Sequence, residues 1–118
     1  MHNQKEKKKG TPCYMAPELF QVGSVYSFAS DLWSLGCILY ELAQGNPPFV
    51  SSSLHDIATL AKTGETPKVD FFSSDFNNIL ERLLAKEAEN RITWKELFNH
   101  SWLKGELEFY EIPKEPHF

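Results

Sequence analysis

Apolar positions crowd most densely between Ser30 and Gly45. Leu32, Trp33, Leu35, Cys37, Ile38, Leu39, Tyr40, Leu42 and Ala43 leave almost no polar face. A helix that is apolar all round is either buried on all sides or lies in a membrane. Asp31 to Gln44 covers about 21 Å at about 1.5 Å per residue, too short for a hydrocarbon core of about 30 Å. The stretch therefore predicts a buried central helix. Ser30 suits its N-cap, since a hydroxyl can accept from an orphan backbone N–H. Asp31 then sets a negative charge where the helix dipole favours one. Gly45 can take the positive φ of a C′ residue.

The pattern elsewhere predicts helices that pack around this one. Pro17 fits the first position of a short helix through Phe20, where a missing N–H costs nothing. Asn46-Pro47-Pro48 ends the central helix, and Phe49 is expected to fold back onto the core. Ser53 and Asp56 open a helix to Lys62 in the manner of a capping box, with Leu54, Ile57, Ala58 and Ala61 as its apolar stripe. Ser74 to Lys86 is amphipathic, with Phe76, Ile79, Leu80, Leu83 and Leu84 on one face. Thr93 and Glu96 form a capping box for a last helix, to which Leu97, Phe98, Trp102 and Leu103 bring bulk. No internal repeat and no sustained alternation is present. The fold class is all-α.

Composition narrows the function. The chain has 118 residues, enough for one domain or part of one, and 42% apolar content supports a core. A formal charge of −4 argues against nucleic acid as a partner. Cys13 and Cys37 fall in a loop and in the buried helix, so neither a disulfide nor a metal site is expected. Reduced thiols suit an intracellular, cytoplasmic protein. No signal peptide and no membrane span is visible. Three regions are expected: residues 1–9, a basic segment carrying Lys5, Lys7, Lys8 and Lys9; residues 10–104, the folded part; and residues 105–118, an acidic tail or linker containing Pro113 and Pro116.

Three blocks then fall in a telling order. They are Gly10-Thr11-Pro12 with Ala16-Pro17-Glu18, Ser30-Asp31-Leu32-Trp33-Ser34-Leu35-Gly36, and Arg91 before a helix ending His100-Ser101-Trp102. Together they resemble the C-terminal half of a protein kinase domain. Ala-Pro-Glu belongs to the kinase signature set. The wording from Gly10 to Phe20 is most similar to serine/threonine kinases of the Unc-51-like and Fused-like groups. The resemblance covers about Gly10 to Leu103.

The resemblance implies a role for each matching residue. Thr11, on its own a turn hydroxyl, corresponds to the threonine that helps seat the substrate hydroxyl. Cys13, Tyr14 and Met15, otherwise ordinary loop residues, correspond to the wall of a pocket for the substrate residue after the phosphoacceptor. Glu18 and Arg91 correspond to a buried ion pair that ties the substrate loop to a distant helix. Asp31 corresponds to the aspartate that anchors the catalytic loop. Ile38 and Leu42 correspond to the base of a hydrophobic spine; by periodicity alone they are core. The family's Asp-Pro before the arginine is replaced here by Glu87-Ala88, and no hydroxyl precedes Thr11 for regulatory phosphorylation.

What the sequence lacks sets the limits of the expectation. It contains no Gly-x-Gly-x-x-Gly, no His-Arg-Asp and no Asp-Phe-Gly. Phosphoryl transfer depends on those parts. The chain is thus expected to hold a substrate platform without an ATP site, a metal site or a base, and to be inactive alone. ATP and Mg²⁺ are implied for an intact parent, cut before residue 1, whose partners are the missing N-terminal part of the domain and a protein substrate or regulator. The alternative is a pseudokinase-type interaction or scaffold module without catalysis. Either way, the isolated chain is expected to be marginally stable.

Overall fold

The computed structural model describes residues 13–70 and 72–108. Among these residues the chain is helical, with no strand. A 3₁₀ turn at Pro17–Phe20 precedes α1 (Phe28–Gln44), α2 (Leu54–Thr63) and α3 (Ser74–Leu83). A second 3₁₀ turn, Ala88–Asn90, leads to α4 (Trp94–Phe98) and α5 (Ser101–Glu108). No helix among the described residues is long and apolar enough to cross a membrane.

Local chemistry sets most helix ends. Ser53 accepts from Asp56 N–H at 3.3 Å and Ser73 from Phe76 N–H at 3.1 Å. Thr93 and Glu96 satisfy each other's backbone donors at 3.1 and 2.9 Å. Gly45 takes φ 99° and returns its N–H to Glu41 O at 2.8 Å. Three ends differ from expectation. The N-cap of α1 is Ser27 rather than Ser30, so the helix gains a turn before Asp31. Ser30 sits in that first turn, where its hydroxyl accepts from Ser27 N–H at 3.4 Å. α3 stops at Leu83, short of Lys86, because Ala85 and Lys86 turn their carbonyls toward Arg91. α5 continues through Gly105 to Glu108, into the segment expected to be an extended tail.

α1 is the central helix, and it serves two apolar clusters. Leu32 and Tyr40 face Ile79, Leu80 and Leu83 of α3. Trp33 and Cys37 join Ala16, Phe49, Ala61 and Leu84. Phe49 does fold back, stacking on Trp33 at 5.6 Å between ring centroids. Gly36 lets α1 and α3 approach closely, since a Cβ there would lie 2.9 Å from Leu83 Cβ. Burial of α1 is nevertheless incomplete. Ile38 is 44% exposed and Leu42 78%. They follow Asp31 and Leu35 at helical spacing, so one stripe of α1 is left open by the described elements. Leu54, placed on the apolar stripe of α2 by periodicity, also faces solvent, as does Phe98.

Candidate functional site

The most constrained polar cluster is built around Arg91. A guanidinium carries five N–H donors in a fixed fork, and here each has an acceptor. Nη1 donates to Glu18 Oε2 at 2.9 Å and to Ala29 O at 2.8 Å. Nη2 donates to Glu18 Oε1 at 3.0 Å and to Lys86 O at 3.4 Å. Nε donates to Ala85 O at 3.0 Å. The Arg91 side chain is fully buried. One residue thereby ties the first 3₁₀ turn, the start of α1 and the end of α3 to the segment before α4. The second 3₁₀ turn delivers it, closed by Arg91 N–H to Ala88 O at 3.2 Å. Glu87-Ala88 therefore forms this turn without a proline.

Ser30 completes the cluster. It is fully buried, and its hydroxyl donates to Glu18 Oε2 at 3.1 Å. Burial by itself would push the Glu18 carboxyl up. The hydrogen bonds and charge of Arg91, with Ser30, outweigh it and hold the group below its ordinary value. Sequence reasoning placed Glu18 and Arg91 here and missed Ser30, which reads locally as a cap. The signal was present in the block Ser30-Asp31, adjacent to the motif aspartate.

The loop ahead of Glu18 lies along α1. Tyr14 is fastened at two points: its carbonyl accepts from Ser34 Oγ at 2.8 Å, and its hydroxyl donates to the Glu41 carboxylate. That hydrogen bond drives the phenol up to about 12. Cys13 and Met15 are half-buried and Tyr14 is 38% exposed. Burial, then the Glu41 charge, raises the Cys13 thiol. The three side chains are thus presented from one short loop on the flank of α1. Thr11 lies outside the described residues.

Asp31 stands one turn into α1, half-buried, and accepts from the Tyr26 hydroxyl. It shares its stripe with Leu35, Ile38 and Leu42. The structure therefore brings Glu18, Ser30 and Arg91 into direct contact and aligns Asp31, Ile38 and Leu42 on one open face. It does not bring Ile38 or Leu42 into the core. Among the described residues, no three His, Cys, Asp or Glu side chains converge to hold a metal ion.

Comparison with known proteins identifies the family. The protein kinase domain family matches residues 1–103. The serine/threonine-protein kinase RUNKEL of Arabidopsis thaliana is 42% identical over 112 residues, which is 94% of this chain and 8% of that protein. Serine/threonine-protein kinase fused of Drosophila melanogaster is 37% identical over 107 residues, 91% of this chain and 13% of that protein. Human serine/threonine-protein kinase ULK3 is 36% identical over 104 residues, 86% of this chain and 22% of that protein. The chain thus spans under a quarter of the length of these relatives.

Proposed function

Because the chain belongs to the protein kinase family, and its relatives include Unc-51-like and Fused-like serine/threonine kinases, we propose that it supplies the substrate platform of such an enzyme. The whole protein then transfers the γ-phosphoryl of ATP, with Mg²⁺, to a serine or threonine of a protein substrate in the cytoplasm. The observation that supports this most is the Arg91 cluster. It fixes the loop bearing Cys13, Tyr14 and Met15 against α1, beside the stripe headed by Asp31. A loop held at both ends by side-chain bonds can position an incoming peptide at little entropic cost.

In this reading Tyr14, Cys13 and Met15 line the pocket for the residue after the phosphoacceptor, and Thr11 orients the hydroxyl. Asp31 offers carboxylate oxygens to backbone N–H groups of a catalytic loop, and Ile38 and Leu42 support the apolar column above. Nucleotide, metal and general base come from sequence other than these 118 residues.

The test is a phosphotransfer assay with ATP–Mg²⁺ and a serine/threonine peptide library. Full-length protein should phosphorylate serine or threonine peptides, and residues 1–118 alone should not. If the full-length protein fails to bind ATP–Mg²⁺, the catalytic reading falls and a scaffold role takes its place.

A further inference from the structure

Ser34 of α1 directs its hydroxyl to another element. A serine inside a helix can return its hydroxyl to the carbonyl four residues back, and its helix propensity is below that of alanine. Ser34, half-buried, instead donates to Tyr14 O at 2.8 Å.

That bond is the main-chain fastening of the loop. No backbone–backbone hydrogen bond between described residues involves Cys13, Tyr14 or Met15. The first such bond lies at Ala16, whose carbonyl accepts from Leu19 N–H at 3.0 Å. The second tie of Tyr14, from its hydroxyl to Glu41, acts at the far end of a side chain with rotatable bonds of its own. It fixes the ring and leaves the peptide free to shift. Ser34 and Glu41 are two helical turns apart, about 10.5 Å along the axis at about 1.5 Å per residue, so Tyr14 lies along α1 between them. Tyr14 O belongs to the peptide that joins Tyr14 to Met15. Holding it sets the starting point of both side chains and, one residue back, of Cys13.

We propose that Ser34 is a positioning residue for peptide binding. Its hydroxyl fixes the wall formed by Cys13, Tyr14 and Met15, and thereby the affinity and selectivity for the substrate residue after the phosphoacceptor. This rests on the loop being a substrate platform; Ser34 acts through Tyr14 O rather than on the reacting atoms. A loop free to shift must be ordered as each peptide binds, and that ordering weakens the complex. The effect falls on binding rather than on the chemical step, because uniform binding alters KM and leaves kcat in place.

Full-length protein, Ser34→Ala and Ser34→Thr are compared with ATP–Mg²⁺ and serine peptides that differ only after the phosphoacceptor. Ser34→Ala should raise the peptide KM about fivefold, the loss expected for one hydrogen bond. It should leave kcat and the KM for ATP in place and flatten the differences among peptides. Ser34→Thr keeps the hydroxyl and should restore both. A second readout needs no activity: alkylation of Cys13 by iodoacetamide at fixed pH, followed by peptide mass spectrometry. Ser34→Ala should speed it several-fold, while Cys37, buried in α1, stays protected and reports an intact helix. Unchanged peptide KM in an active Ser34→Ala enzyme would overturn the proposal. So would equal Cys13 rates, a loss confined to kcat, or failure of Ser34→Thr to rescue. If the unaltered protein transfers no phosphoryl group, the substrate-platform reading falls and takes the peptide role with it. The Cys13 rates then still report whether Ser34 holds the loop.

Discussion

Arg91 and Glu18 concentrate more consequence in two side chains than any other pair among the described residues. A buried charge stripped of its partner costs about 3–5 kcal/mol. Glu18→Gln keeps the shape and removes the charge, so it should destabilise the full-length protein by about that amount in urea unfolding. Arg91→Lys should cost a similar amount, because a single ammonium cannot replace a five-donor fork. The pH dependence follows from the same pair. The folded pKa of Glu18 is lowered, so its contribution is complete above the ordinary carboxylate range, near about 4.3. It is lost as pH falls through the lower folded value. Glu18→Gln should therefore flatten the acid limb of the stability profile. An unchanged acid limb would remove the pair from the list of stabilising features. The pairing was legible from motif position. Ser30, Ala29 and Ala85 as further partners were not, because nothing in their local sequence marks a carbonyl or hydroxyl that a residue far along the chain will use.

At the level of elements, the contact between α1 and α3 is decided by Gly36. A glycine inside a helix ordinarily costs about 1 kcal/mol relative to alanine. Here that cost is offset by close approach, since a Cβ would fall 2.9 Å from Leu83 Cβ and 2.9 Å from Leu84 Cδ2. Gly36→Ala should gain helix propensity and still lose stability, by on the order of 1 kcal/mol net, because overpacking costs about 1–3 kcal/mol. Thermal unfolding of the full-length variant reads this directly; a raised midpoint would mean that the interface yields. Helix identities and most caps were readable beforehand, since Ser53, Thr93, Glu96 and Gly45 act within a turn of their own helix. The start of α1 was misjudged by one turn. Ser27 and Ser30 are equally good caps in sequence, and Ser30 is drawn inward by Glu18.

For the molecule as a whole, the open stripe of α1 matters most. Ile38 and Leu42 follow Asp31 and the half-buried Leu35 at helical spacing and are left exposed by the described elements. Contiguous exposed apolar surface marks an interaction site or an aggregation liability. Residues 1–118 produced alone should self-associate. Ile38→Gln with Leu42→Gln should weaken that association at least roughly tenfold, since burying even one such side chain contributes about 1.5 kcal/mol. Sedimentation of both forms checks this, and a monomeric parent chain would refute it. In full-length protein the same two changes should lower phosphotransfer if the stripe supports the catalytic half.

Sequence by itself determined that the chain is helical, that α1 is its hub, and that Glu18 and Arg91 are paired. Each of these rests on spacing within a turn or on a motif whose members are recognisable one by one. Tertiary structure alone decided which face of α1 is covered, which carbonyls complete the Arg91 shell, and that Ser34 holds the Tyr14 carbonyl. The physical reason is that burial and desolvation are sums over neighbours brought from distant parts of the chain. The apolar residues of α1 look alike in sequence; only their neighbours distinguish Trp33, at no exposure, from Leu42, at 78%.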